Sequence, residues 1–525
     1  MTQVTDEKTG DSSTAVILAI ALLGIAYAVS LGMGLPQRGT RLIVEADHSD
    51  HVEATDGSST GDHAPPGNIA PPLWTVAPFV LLLAAIAIFP LMHSTEHWWE
   101  VNLNRFKVAV TLAALTLLYY FLLHDSAIEG HWPAHNVTHP SGSAVQFNFI
   151  RTVLENAILG EYIPFIVLLF SLYTISGGIR ISGDLQANPL TNTLFMAAGG
   201  TLASLIGTTG AAMLLIRPLL ETNRQRKYVA HTVVLFIFIV CNCGGCLLPI
   251  GDPPLFLGYL QGVDFFWTLN LWREWLFVNG LLLAVYLALD ELVYFRRETE
   301  ADISRDLRKI RQLKFRGIGL NGLLLLGIIV AVALLDPSKT IPGTNWHPWM
   351  YLREMTQLAL VAISLHFGSR EVRRQNSFNY DAIIEVAALF LGIFICMQPA
   401  LQILAERGSS LGIHTPSQFF WITGALSSVL DNAPTYLVFF QTARAMTDGS
   451  GPGYMAGVDE MILTGISLGA VFMGAMTYIG NGPNFMVKAV AESSGVRMPS
   501  FFGYMLYSCC ILLPILALTD WLFLR

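Results

Sequence analysis

Charge is scarce in this chain. Asp, Glu, Lys and Arg make up 13% of its 525 residues, against about 25% in a soluble domain. With 53% hydrophobic residues and a mean hydropathy of +0.52, that scarcity excludes a chain solvated over most of its surface and leaves a polytopic membrane protein. A basic surplus is also missing. The 30 Lys and Arg face 38 Asp and Glu, and the bases stand in short clusters at segment ends, as topology signals do. No nucleic-acid partner is expected. Cysteine is sparse: Cys241, Cys243, Cys246, Cys396, Cys509 and Cys510 all lie inside apolar segments, which argues against a disulfide framework. Cys241-x-Cys243-x-x-Cys246 reads as small packing residues rather than a soft-metal site.

What is present is a series of apolar runs. Met1–Ser13 is polar and acidic, and Thr14–Leu35 is long enough to span a bilayer. We read it as a first helix rather than a cleaved signal peptide. Lys8 is its only leading base, beside Asp6, Glu7 and Asp11, and the run exceeds an ordinary h-region. Arg41–Pro72, with His48, His51 and His63, reads as a solvated loop. Further spans are expected at Leu73–Met92, Phe106–Leu123, Tyr162–Ile181, Tyr228–Leu260, Phe265–Phe295, Gly317–Leu335, Trp349–Phe367, Glu385–Leu404, Val458–Ala491 and Phe501–Leu524. The organisation is then residues 1–71, an N-terminal helix and outer loop; 72–295, a first repeat; 296–316, a charged cytoplasmic linker; and 317–525, a second repeat.

Pro189–Glu221 and Pro416–Thr442 remain, each with a polar, Gly- or Pro-marked tip. If both cross the membrane, the basic loops split between its two faces. If both are re-entrant hairpins, most of the 30 Lys and Arg fall on one face, which is cytoplasmic by the positive-inside rule. The hairpin arrangement places an odd number of crossings in each half, so the halves are inverted. The expected fold is an all-α polytopic membrane protein of about 11 transmembrane helices plus two re-entrant hairpins. Its N-terminus is cytoplasmic and its C-terminus periplasmic.

The halves also resemble each other. A shift of 224 residues lays Gly424–Leu437 on Gly200–Met213, with Leu202/Leu426 and Ser204/Ser428 identical and Thr208 falling on Asn432. Farther on, Gly245–Leu257 matches Gly474–Met486, with Ile250/Ile479, Gly251/Gly480, Pro254/Pro483 and Phe256/Phe485 identical. Paired Gly- and Pro-broken segments are the sequence pointer to the binding site of a secondary transporter. Broken backbone at membrane depth is tolerated where it lines a cavity or is buried in protein. Its freed carbonyls, with side-chain oxygens, suit a hard cation. The second half offers Ser427, Ser428, Asp431, Asn432, Thr435, Thr477, Asn481 and Asn484; the first offers Ser204, Thr208, Thr209, Asn242 and Asp252. For each Ser or Thr alone, packing or a bond to a carbonyl is the blander role.

Asp431 and Asp252 are carboxylates at membrane depth with no Lys or Arg beside them in sequence, and such groups are expensive unless functional. They are the candidate Na⁺ ligands. A carboxylate that takes a cation or a proton in turn provides antiport without binding both. Na⁺ and H⁺ are therefore the expected transported ions, and no other cofactor is expected. Glu161 and Glu385, equivalent under the same shift, read as interfacial carboxylates or part of a proton path.

The runs LIGTTGAAMLLIRP, CNCGGCLLPIGDPPLFLGYL, SSVLDNAPTYLVF and YIGNGPNFMVKA resemble the NhaD-type sodium/proton antiporters and their relatives described as citrate transporters. The resemblance covers the chain from about Pro72 to the C-terminus. It implies paired hairpins, broken helices, homodimers and a bacterial inner-membrane location, and places the family's acidic and Asn positions on Asp252, Asp431, Asn432 and Asn481. The Gly-Thr-Thr-Gly tip lacks the Ser-Asn-Thr signature of the dicarboxylate branch, which weighs against citrate. Two other functions fit part of the sequence: a Na⁺- or H⁺-coupled citrate or dicarboxylate carrier, and, remotely, an intramembrane aspartyl protease using Ile250-Gly251-Asp252 and Tyr380-Asp381. Membrane lipid is a partner on any of these readings.

Overall fold

The computed structural model describes residues 3–55, 70–92, 94–133, 136–142, 145–298, 311–447 and 451–525. Among them, five helices are long and apolar enough to cross a membrane: Ser13–Gly32, Asn102–Leu122, Phe147–Ser176, Trp267–Arg297 and Phe501–Phe523. Asp381–Cys396 with Gln398–Arg407, bent by 42°, makes a sixth. Leu73–Ile88, Ala230–Cys246, Ile318–Leu334 and Glu460–Met476 are shorter apolar helices. The protein is mostly helical and multi-pass.

Several boundaries differ from the sequence reading. The helix expected over Tyr162–Ile181 starts at Phe147 and ends at Ser176, because a π-helical stretch, Glu155–Tyr162, carries it through polar residues. Asn156 is accommodated there by the strand Ile128–Gly130. Its Nδ2 donates to Glu129 O at 2.9 Å and its Oδ1 accepts from His131 N at 2.7 Å. Part of the expected loop Arg41–Pro72 is helical, since Leu35–Thr55 forms a helix. That helix is pinned by Thr40, whose hydroxyl donates to Pro348 O and accepts from Met350 N. His48 and His51 fall on it, whereas His63 lies outside the described residues. Arg180–Asp184, expected as a helix end and loop, pairs antiparallel with Arg311–Arg316 of the charged linker. These strands are too short and too basic to show an apolar alternation.

The chain forms two compact units, each drawing on both sequence halves. The first comprises Met1–Ile175 and Leu323–Gly408. In it, helix Asn102–Leu122 packs on helix Asp381–Cys396, and Arg105 pairs with Glu385 at 2.8 Å. Glu385 is therefore held in an ion pair. His124, in the segment after Asn102–Leu122, is 4% exposed, lies 3.0 Å from the Tyr119 hydroxyl and touches the rings of Tyr120 and Phe149. Burial holds its pKa down at about 4. The unfolded chain takes up the proton first, so this contribution is intact above about pH 6.5 and is lost as pH falls toward 4. Acidification through that window removes up to about 3 kcal/mol. His124→Gln should flatten that part of the acid slope in melting curves recorded against pH. An unchanged slope would show that His124 is not the group being titrated.

The second unit comprises Ser176–Gly322 and Ser409–Arg525. Within it, Pro189–Ile206 and Thr208–Thr222 are two helices joined at Gly207, whose φ of 82° suits glycine. The two ends of this segment meet: Asn192 and Asn223 exchange side-chain hydrogen bonds at 2.8 and 2.9 Å. The segment thus folds back on itself. Pro416–Ser427 and Asn432–Thr447 form a second such pair, with the rings of Phe419 and Phe439 6.4 Å apart across it. Helix Pro416–Ser427 lies tightly on Glu460–Met473 because Gly465 and Gly469 present bare backbone. A Cβ on Gly469 would stand 2.5 Å from Phe420 O. Small residues four apart are the usual device for such close helix approach in membranes.

A buried charge cluster closes another part of this unit. Asp290 accepts from both Nη atoms of Arg226, lies 3.0 Å from His231 Nε2 and accepts from the Tyr286 hydroxyl at 3.0 Å. It is a structural ion pair.

Candidate functional site

Both apolar helices that follow the hairpins break where the sequence predicts. Ala230–Ile239 gives way to single 3-10 turns at Cys243–Cys246 and Pro249–Gly251, and a helix restarts at Pro253–Leu260. Glu460–Met473 passes through Gly474–Met476, and a helix restarts at Gly482–Ser493. Proline in the first turn of each restart needs no partner for its missing N–H. The carbonyls freed by the breaks are taken by side chains. Gly244 O accepts from Ser204 Oγ at 2.6 Å and Trp275 Nε1 at 3.0 Å, and Cys243 O accepts from Asn279 Nδ2 at 3.1 Å. In the second half, Gly474 O and Thr477 O accept from Asn484 Nδ2 at 2.8 and 3.0 Å, and Ala475 O accepts from the Tyr504 hydroxyl at 2.8 Å.

The two hairpin tips and the two breaks meet at the carboxylate of Asp252, which is 1% exposed. Its Oδ1 accepts from Thr208 Oγ1 at 2.8 Å and from Asn481 Nδ2 at 3.3 Å. Its Oδ2 accepts from Asn432 Nδ2 at 2.8 Å. Thr208 and Asn432 are superposed by the 224-residue shift, and Asp252 and Asn481 by the alignment of the two breaks. Four equivalent positions, two from each half, therefore share one carboxylate. Each also stands at the first turn of a helix: Thr208–Thr222, Asn432–Thr447, Pro253–Leu260 and Gly482–Ser493. Helix starts carry partial positive charge, and four of them converge on the Asp252 side chain.

A second layer holds this arrangement. Asn242 Nδ2 donates to Asn484 Oδ1 at 2.8 Å, and Asn481 Nδ2 reaches Asn242 Oδ1 at 3.1 Å and Cys241 O at 3.0 Å. Asn242 and Asn484 are fully buried. Among the described residues, no Lys, Arg or His lies within ion-pair distance of Asp252 or Asp431, unlike Asp290. Asp431 stands at the second tip beside Asn432. Its Oδ1 accepts from Ala433 N at 3.1 Å, and its charge bears on Asp252. Asn432 Oδ1 is buried with no hydrogen-bond partner, an arrangement that costs free energy unless a cation or water meets it.

The other sequence candidates do different work in this conformation. Ser204 bonds Gly244 O and accepts from Leu247 N, and Ser427 bonds Ala470 O. Ser428 turns back to Ala425 O, and Thr435 caps Asp431 O. Thr477 donates to Ser428 O at 2.5 Å, tying the second tip to the second break. Thr209 is half-buried beside Thr208. Trp275, Asn279 and Tyr504 were not singled out from sequence, although an isolated Asn279 within the apolar Trp272–Leu289 was a usable signal.

The geometry provides one buried carboxylate, an orphaned amide oxygen, a neighbouring carboxylate and four converging helix starts. Residues 68–524 match the family described as "Putative citrate transport". Comparison with curated proteins gives no match.

Proposed function

The chain belongs to that family, a family of membrane transporters, and from this premise we propose that it is a secondary active transporter exchanging Na⁺ or Li⁺ for H⁺ across the bacterial inner membrane. The observation carrying this reading is the isolation of Asp252: a carboxylate enclosed by amides and a hydroxyl, with no basic partner. The four helix starts already have their anion in Asp252. A second anion would meet like charge, whereas a cation or proton neutralises the site. Na⁺ is held by Asp252, Asp431 and Asn432 Oδ1, and its departure returns a proton to Asp252. In this proposal the two fold-back segments are re-entrant hairpins, and the halves are inverted repeats in a homodimer.

A Na⁺- or H⁺-coupled citrate carrier is the second reading. The family's description favours it, as do four helix starts of the kind that bind substrate carboxylates elsewhere. In that case the cation bound at Asp252 is the coupling ion.

Inside-out vesicles carrying a preformed proton gradient separate the two. Na⁺ should dissipate the gradient for the wild type and not for Asp431→Asn, while citrate should leave it unchanged. Collapse driven by citrate rather than Na⁺ would replace the first reading with the second.

A further inference from the structure

Three helices of the second unit enclose a line of polar groups that leads away from Asp252. Helices Pro253–Leu260 and Asn432–Thr447 pack side by side, and three contacts show that they run in the same direction. Asp252 meets Asn432 at one end, Gly258 faces Tyr436 midway, and Gln261 Oε1 accepts from Gln441 Nε2 at 3.0 Å at the other end. Helix Glu460–Met473 packs on Asn432–Thr447 in the opposite direction. A Cβ on Gly474 would stand 3.6 Å from Asn432 Nδ2, Ser467 meets Tyr436, and Gly457 O accepts from Thr447 Oγ1 at 2.9 Å.

The middle of this line is shaped around a hydroxyl. Tyr436 is 1% exposed, and its ring stacks on Phe440 at 6.0 Å. Its hydroxyl occupies the space that Gly258 leaves open, because a Cβ there would fall on Tyr436 Oη. Ser467 is fully buried beside it, and Ser467 Oγ has no hydrogen bond of good geometry. A serine within a helix can satisfy itself on the carbonyl one turn back, and Ser467 does not. One turn from Tyr436 toward the site, Asn432 Oδ1 is likewise buried and unpaired. Oxygens left so cost free energy unless water reaches them. At the far end Gln261 and Gln441 are half-buried, and Gly262 beside them is exposed.

We propose that Tyr436 and Ser467 carry protons between Asp252 and the end of the line at Gln261 and Gln441, with water completing the chain. This rests on the reading that protons exchange at Asp252. Each hydroxyl accepts a proton on a lone pair as it releases its own to the next group, so neither residue changes charge. The two glutamines orient the water at the mouth. With the Tyr436 hydroxyl seated on Gly258, protons pass this point and Na⁺ does not.

The test uses the full-length protein in proteoliposomes and two rates: proton movement driven by Na⁺, and exchange of radiolabelled Na⁺ for Na⁺, which moves no proton. Tyr436→Phe and Ser467→Ala should each slow the first by about tenfold or more and leave the second, and the melting temperature, unchanged. Thr442→Val removes a buried hydroxyl that bonds Val438 O of its own helix, and should alter neither rate. A wild-type proton rate in Tyr436→Phe overturns the proposal, and so does an equal loss in Thr442→Val. Parallel losses of both rates in Tyr436→Phe and Ser467→Ala overturn it too, since the hydroxyls would then serve the structure and not the proton. If the wild type itself moves no protons with Na⁺, the exchange reading fails and this proposal with it.

Discussion

Asp252→Asn should leave a folded protein that no longer couples Na⁺ to protons. The substitution keeps the shape of the side chain and removes its charge. The new amide brings an N–H₂ toward groups that now donate, namely Thr208, Asn432 and Asn481. Asn432 can absorb this by turning its amide, because its Oδ1 is free to accept. The turn replaces one hydrogen bond with another, so the melting temperature should move by an amount equivalent to no more than about 1 kcal/mol. Transport does not survive so cheaply. Removing one member of a buried charge interaction costs roughly 3–5 kcal/mol, so cation affinity falls by on the order of a hundredfold or more. The neutral amide has no proton to exchange at any working pH. Gradient dissipation in vesicles should drop to background while the melting curve stays in place. A variant exchanging within a few-fold of wild type would remove Asp252 from the centre of the mechanism, whatever the substrate.

Asn432→Asp provides the complementary case. It puts a second carboxylate where an amide now donates to Asp252 Oδ2 at 2.8 Å, so the variant can hold that contact only with one proton shared between the two acids. The wild-type amide leaves one carboxyl group at this point, with Asp431 the next acid along the chain.

The site around Asp252 was readable because its signals are local and repeated. A Gly-Asp-Pro-Pro run and a Gly-Asn-Gly-Pro run in otherwise apolar segments each interrupt a helix, and aligning them superposes Asp252 on Asn481. The same logic superposes Thr208 on Asn432, and these four meet in space. Which oxygens turn inward was not readable. Ser204 and Thr477 have the right chemistry to hold an ion, but a backbone carbonyl of the first break and one of the second hairpin tip claim them first. That competition depends on distances between segments some 40 to 50 residues apart, about which local composition is silent. The π-helical stretch Glu155–Tyr162 escaped for a related reason, since its polar residues resemble a loop until a strand is seen to bond Asn156. The ribbon Arg180–Asp184 with Arg311–Arg316 joins segments far apart in the chain, and neither strand alone has a strand's pattern.

Gly251 and Gly480, identical in the alignment of the two breaks, carry the largest expected stability effect. At Gly251 a Cβ would fall on Gly245 O and stand 3.0 Å from Ser204 Cα. At Gly480 it would stand 2.6 Å from Gly474 O and 2.8 Å from Ser427 O. Every one of these neighbours is backbone, and each set belongs to the same break and the adjoining hairpin. No side chain can swing aside, so an added methyl must push the break away from its hairpin and displace Asp252 or Asn481, which follow directly. Overpacking ordinarily costs about 1–3 kcal/mol; with only backbone to yield, Gly251→Ala and Gly480→Ala should meet or exceed the upper figure. Purified protein should melt many degrees lower or fail to remain monodisperse. Gly482 supplies the control, because it lies two residues from Gly480 in the same break and has nothing within 4 Å of its added Cβ. Gly482→Ala should therefore melt as wild type does. If Gly480→Ala and Gly482→Ala behave alike, the close approach between break and hairpin is absent, and with it the device that holds four chain segments around one carboxylate.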